Sequence, residues 1–174
     1  MAISLLNQVY VRPISVQDTP KVVNFKKELE NETDYLVFNM KDSPNSFNKE
    51  RNNIIQFTLF SNYLYLGAFV DDTLGGLLLF RGGKSPRNKH IGELGIGIKK
   101  EYWGHGIGKK LIAELFKWCV DNSIKKVTLK VRKDNTRAIA LYQKLGFKCE
   151  AIKIGFIQGS SEPFEFLIMV KTFN

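Results

Sequence analysis

The sequence predicts an α/β fold, a mixed sheet of about seven strands with helices on both faces, and three observations carry that expectation. Strand and helix periodicities follow one another as strand, two helices, three strands, helix, strand, helix and two strands. No internal repeat, low-complexity tract or Pro/Ser-rich linker divides the chain. Its 174 residues, 44% hydrophobic and 25% charged, match one domain with a sizeable core, against a usual domain of roughly 100 to 200 residues.

Taken in order, Val9 to Arg12 is a short strand ended by Pro13. Ser15 or Asp18 can cap a helix running to about Glu30, with Val22, Val23, Phe25 and Leu29 on its apolar face. A second helix is expected after Ser43-Pro44. Phe47, Ile54, Ile55, Leu59 and Phe60 suit its spacing, whereas Phe57, Asn52 and Asn53 interrupt it. Tyr63 to Val70 and Leu74 to Arg81 read as a hairpin joined through Asp71-Asp72-Thr73. A polar, basic loop from Gly82 to Lys89 leads into a strand from about His90 to Ile98, whose glycines mark a close approach of backbone or ligand. An amphipathic helix to about Asn122 follows, with Ile107, Leu111, Leu115, Trp118 and Cys119 at steps of three or four. Lys125 to Arg132 alternates, with Val127, Leu129 and Val131 inward and Lys126, Thr128 and Lys130 outward. The last helix spans Asn135 to Leu145-Gly146, and strands at about Lys148 to Ile157 and Phe164 to Lys171, joined across Gly159-Ser160-Ser161, complete the order.

Composition narrows the function. No apolar run approaches the roughly 18 residues of a membrane span, and Met1 to Tyr10 has no basic residue ahead of an apolar stretch. Cys119 and Cys149 form neither a CxxC pair nor a disulfide framework, and only His90 and His105 offer imidazole. A cytoplasmic protein with no membrane partner and no metal is expected. The net charge of +9 is uneven. Seven basic residues balance seven acidic ones up to Phe60, so the whole excess lies beyond it. That excess suggests an anionic partner: nucleic acid, a membrane surface or a phosphorylated cofactor.

The turn Gly104-His105-Gly106-Ile107-Gly108-Lys109 lies where the first helical N–H groups lack internal partners and the helix dipole is positive, an arrangement suited to phosphate. A Walker loop is excluded, since three residues rather than four separate Gly104 from Gly108-Lys109 and no hydroxyl follows. The dinucleotide fingerprint is excluded too, because the turn reads GxGxG and no acidic residue closes the strand at Lys125 to Lys130. In the next helix Asn135 and Tyr142 are seven apart, about 20° around the axis and about 10 Å along it. With the small Ala138 between them, one face offers an amide and a phenol to an extended ligand. The plainer alternative makes Asn135 an N-terminal cap and Tyr142 a core aromatic.

These two segments resemble the GNAT superfamily of acetyl-CoA-dependent N-acetyltransferases. Glu101 through Leu111 is similar to its pyrophosphate loop, and Asn135 through Phe147 to its N-x-x-A-x-x-L-Y-x-K-x-G-F segment. Trp103 stands where many relatives have Arg or Gln. The resemblance implies a mostly antiparallel sheet with a splayed parallel pair at the cofactor site and acetyl-CoA as cosubstrate. Its ligands would be Ile96, Gly97, Ile98, Trp103, Gly104, His105, Gly106, Ile107, Gly108, Lys109, Asn135, Ala138 and Lys144. It implies direct attack of a primary amine in a ternary complex, with a donor near Ile98 for the oxyanion, Tyr142 as general acid, and Glu93 as a base acting through water. The acceptor would be a small molecule or a protein amine, and the protein a monomer or homodimer. The acidic cluster Glu28, Glu30, Glu32 and Asp34 is compatible with a cationic amine, or is a solvated helix face. A basic nucleic-acid-binding domain using Lys125, Lys126, Lys130, Arg132, Lys133 and Arg137 is disfavoured, for no RNP, zinc or helix-turn-helix pattern accompanies them. A catalytically silent acyl-CoA-binding regulator is the remaining alternative.

Overall fold

A computed structural model describes residues 9–35, 47–156 and 161–174. The expected helix start at Ser43-Pro44 and most of the Gly159-Ser160-Ser161 loop lie outside the described residues, as do the first eight positions. The order is β1 (Val9–Pro13), α1 (Thr19–Glu32), α2 (Phe47–Leu59), β2 (Tyr63–Val70), β3 (Thr73–Gly82), β4 (Ile91–Ile98), α3 (Ile107–Asp121), β5 (Lys126–Arg132), α4 (Thr136–Lys144), β6 (Lys148–Gly155) and β7 (Phe164–Thr172). The β2–β3 turn is the two-residue Asp71-Asp72, both left-handed with φ of 46° and 65°, the conformation that matches a hairpin's twist.

All seven strands join one sheet in the order β1-β2-β3-β4-β5-β7-β6. Every pairing is antiparallel except β4 with β5, which is parallel and holds for three rungs, from Ile91↔Lys126 to Glu93↔Thr128. Beyond Glu93 the two strands separate while each stays bonded to its outer neighbour, so the sheet opens in a V at its centre.

Both faces are covered, as strand alternation requires. Leu78 and Phe80 of β3, Leu94 of β4 and Val127, Leu129 and Val131 of β5 pack under α3 and α4. Leu77 and Leu79 of β3, with Tyr65 and Phe69 of β2, pack under Val22, Phe25 and Leu29 of α1 and Ile54 and Phe57 of α2. The face expected for α2 is thereby corrected. Phe57 is buried, whereas Phe47, Leu59 and Phe60 are exposed, because the stripe that meets the sheet runs through Glu50, Ile54 and Phe57, spaced i, i+4, i+7. Phe60 lies beyond the helix with its ring centroid 4.8 Å from that of Tyr63. Among the described residues no helix is long and apolar enough to cross a membrane.

The entry to α1 is pinned by a buried carboxylate. Asp18 accepts two 2.7 Å bonds from the Arg12 guanidinium, and the Ser15 N–H and hydroxyl donate to it at 2.8 and 2.9 Å. Arg12 foremost, then Ser15, holds the Asp18 carboxyl well below the usual range against the opposing effect of burial. A lowered folded pKa contributes stability that is present above the unfolded value, about 3.9, and fades as pH falls through the folded one. Asp18→Asn should therefore cost on the order of 2 kcal/mol at pH 7. In urea unfolding series the gap to the natural protein should narrow below about pH 4; a gap that stays constant down to pH 2 would contradict this.

Candidate active site

The mouth of the V is a cleft of about 680 Å³, walled by the diverging halves of β4 and β5, the turn before α3, one face of α4 and the carboxyl-terminal end of α1. Backbone groups line it first. The bonds Gly83 N–H to Ile91 O and Lys99 N–H to Gly75 O show that odd-numbered residues of β4 bond to β3. Antiparallel pairing alternates, so Leu94, Ile96 and Ile98 turn their N–H and C=O groups toward β5, which has left. The Ile98 carbonyl is taken: Trp103 Nε1 donates to it at 2.8 Å. Among the described residues no group bonds the Ile98 N–H or either polar group of Ile96.

At one end lies the glycine turn. Gly104 and Gly106 have φ of 82° and 76°, and a Cβ built on either meets no atom within 4 Å. Their glycines are thus required by backbone conformation, and the space above them is open. The first helical bond runs from Lys110 N–H to Gly106 O, so the N–H groups of Ile107, Gly108 and Lys109 have no helical acceptor. Gly108 serves packing: a Cβ there would lie 2.9 Å from Leu141 Cδ2 and 3.1 Å from Ile98 Cδ1. Its absence brings α3 against α4 and β4 at the point where the strand ends. Arg137 stacks its guanidinium 4.5 Å from the Trp103 ring centroid and ties α4 to the turn. With Lys109 and Lys144 it makes this end strongly basic, a field that attracts phosphates.

Tyr142 stands in the wall. Its ring is buried edge-on to Phe147, 5.8 Å between centroids, and burial pushes its pKa far above the ordinary 10. Among the described residues its hydroxyl has no hydrogen-bond partner, yet no fully buried side-chain polar atom is left unsatisfied. That hydroxyl therefore opens to the cleft. Tyr65 makes the contrast, since its equally buried phenol donates to Glu50 at 3.2 Å. Cys119 is a core thiol raised to about 12 by burial, which withholds the thiolate a nucleophile needs.

Ile96, Gly97, Ile98, Trp103, Gly104, Gly106, Ile107, Gly108, Lys109, Asn135, Ala138, Tyr142 and Lys144 all line this one cleft. His105 and Glu93 do not. His105 is exposed on the turn, and Glu93 is exposed at the last β4–β5 rung, on the α1 side of the sheet. Asn135 caps α4, its Oδ1 accepting the Ala138 N–H at 3.3 Å, which leaves its amide nitrogen free to donate to a ligand. The acidic cluster is partly structural. Glu28 pairs with the buried Lys99, whose contact lowers its pKa, and Glu32 accepts the Lys100 N–H at 2.8 Å. Together they fasten α1 to the end of β4. Three cations of the basic segment are also paired: Lys126 with Glu150, Arg132 with Asp134 and Lys133 with Glu165.

Sequence reasoning missed the other end of the cleft. Leu29, Thr33 and Tyr35 line it from α1 and the residues after it, and Lys130 and Asp134 from β5 and beyond. Arg132, buried, lies between the rings of Tyr35 and Phe164, 4.9 and 3.9 Å from their centroids. Lys130, expected to point outward, lies against Phe166 on the sheet face that α1 shares.

Comparison with known proteins agrees with this geometry. Residues 28–147 match the model of the Acetyltransferase (GNAT) family. The chain is 31% identical to the L-amino acid N-acetyltransferase AaaT of Escherichia coli over 87 residues, covering 49% of this chain and 53% of that protein, so the match spans about half the relative's length. It is 28% identical to the spermidine N(1)-acetyltransferase of Thermoplasma acidophilum over 151 residues, 82% of this chain and 89% of that one. The solved structure of yncA from Salmonella typhimurium with its cofactor acetyl-CoA superposes with a TM-score of 0.83 at 16% identity, covering 97% of this chain and 95% of that one.

Proposed function

The chain belongs to the GNAT acetyltransferase family, and from that premise we propose that it is an N-acetyltransferase that moves an acetyl group from acetyl-CoA to a primary amine by direct attack within a ternary complex. The observation that carries the proposal is the order of groups along one cleft: unbonded helix N–H groups at the turn, open strand N–H groups on β4, and a partnerless phenol in the wall.

Each group has one task. The N–H groups of Ile107, Gly108 and Lys109, with the charges of Lys109, Arg137 and Lys144, hold the pyrophosphate. Ile96 pairs with the pantetheine amides as a missing strand would. The Ile98 N–H receives the charge that grows on the thioester oxygen as the amine lone pair attacks the carbonyl carbon. The C–N bond forms, the C–S bond breaks, and the electron pair leaves on sulfur. Tyr142 donates its O–H to that sulfur. Holding both reactants in line makes a protein nucleophile unnecessary, in accord with the inert Cys119. Glu93 removes the amine's proton through water, the path its place outside the cleft wall allows.

Incubating the purified protein with acetyl-CoA and a panel of primary amines, with detection of free thiol, should show amine-dependent release. No release with any amine, from protein that still binds CoA, would overturn the proposal.

A further inference from the structure

The charges at the end of the cleft away from the glycine turn are not all paired. Arg132 is neutralised by Asp134, whose two carboxylate oxygens accept from Nε and Nη2 along one guanidinium edge. Glu28 is neutralised by Lys99, whereas Glu32 accepts only the neutral Lys100 N–H and keeps its charge. Lys130 is different. Its ammonium lies 4.1 Å from the centroid of the buried Phe166 ring, and among the described residues no carboxylate is within ion-pair distance. The cations of the cofactor end, Lys109, Arg137 and Lys144, stand on α3 and α4 across the sheet from it. A half-buried ammonium against an aromatic face is held in place but keeps most of its charge uncompensated, and a ligand that fills the cleft strips away further water.

We propose that Lys130 binds a carboxylate of the acceptor, so that the substrate class is an amine carrying its own anionic group, an amino acid rather than a polyamine; this rests on the acetyl-transfer function above. A carboxylate at Lys130 forms a charge-assisted bond with the half-buried ammonium. The ring of Phe166 fixes where the ammonium points, while Leu29 and Tyr35 supply an apolar wall for the rest of the molecule. The same positive charge acts on the reacting amine. A cation nearby disfavours the ammonium form and so favours the neutral nucleophile. Spermidine, whose other amines stay protonated at neutral pH, would instead meet like charge.

The test compares three sets of acceptors at saturating acetyl-CoA: L-amino acids, the matching L-amino acid amides, and spermidine. In the natural protein the acids should exceed their amides in kcat/KM by on the order of tenfold or more, the worth of one hydrogen bond to a charged group. In Lys130→Met the acceptor KM should rise and the preference should fall to about threefold or less, with the KM for acetyl-CoA unchanged. Lys130→Arg, which keeps the charge, should retain the preference and shows that substitution at this position is tolerated. Amides or spermidine used as well as acids, or an acid preference that survives in Lys130→Met, would overturn the assignment. Absence of transfer to every amine would overturn the acetyl-transfer function instead. Equilibrium binding of the same acids and amides to the CoA-bound protein then decides the Lys130 site separately: tighter binding of acids that depends on Lys130 supports it, and equal binding refutes it.

Discussion

Tyr142→Phe should lower the turnover number on the order of 10²-fold while leaving CoA affinity and folding in place, the usual scale for losing a positioned proton donor. The fold should tolerate the change because the hydroxyl bonds to no described residue, so its removal strands no partner, and the ring keeps its contact with Phe147. At Tyr65 the same substitution would take a donor from Glu50. The direction of the pKa shift defines how Tyr142 acts. Burial holds it above the ordinary 10, while a thiol loses its proton near 8.5. Complete proton transfer from this phenol to the leaving sulfur therefore runs uphill, and a hydrogen bond that strengthens as charge builds on sulfur is the favoured contribution. Since a raised pKa keeps the phenol protonated at every pH below it, no loss of activity from Tyr142 ionisation should appear below about pH 10. Single-turnover rates separate acetyl transfer from product release. An unchanged single-turnover rate in folded Tyr142→Phe would remove Tyr142 from the mechanism.

The parts of this site visible in the sequence are those whose physical requirement is local. A left-handed turn needs glycine, so Gly104 and Gly106 mark themselves, and helical spacing puts Asn135, Ala138 and Tyr142 on one face of α4. The parts that were hidden depend on distant chain segments. Arg132 is held between Tyr35 and Phe164, which reach it from opposite ends of the chain. Lys130 follows the strand alternation correctly, yet whether its face meets water or a helix is decided by where α1 docks. That docking rests in turn on Glu28 with Lys99 and on Glu32 with the Lys100 N–H. Within the sequence those two acids were indistinguishable from a solvated face or a cation site. Apolar spacing misplaces the α2 stripe for a related reason, since it cannot tell a residue under the sheet from Phe47 or Leu59, which stay exposed.

Gly106→Val should abolish stabilisation by CoA. Ligand that binds only the folded protein raises its unfolding free energy by about 2.7 kcal/mol at a hundred times Kd, so a thermal titration of the natural protein with CoA should give a clear rise in Tm. The substitution acts in two ways that can be distinguished. A β-branched residue resists the φ of 76° found at this position, a strain of roughly 1–2 kcal/mol that lowers Tm with or without ligand. The new side chain also enters the open space over the turn, where nothing of the protein lies within 4 Å of the Cβ. It occupies the room in which a phosphate would approach the N–H groups of Ile107, Gly108 and Lys109. The first effect shifts the starting Tm; the second removes the response to CoA. Gly106→Ala, smaller and unbranched, should show most of the first and only part of the second. If Gly106→Val lowers the starting Tm yet still responds to CoA as fully as the natural protein, the turn is a backbone corner only and the pyrophosphate is held elsewhere in the cleft.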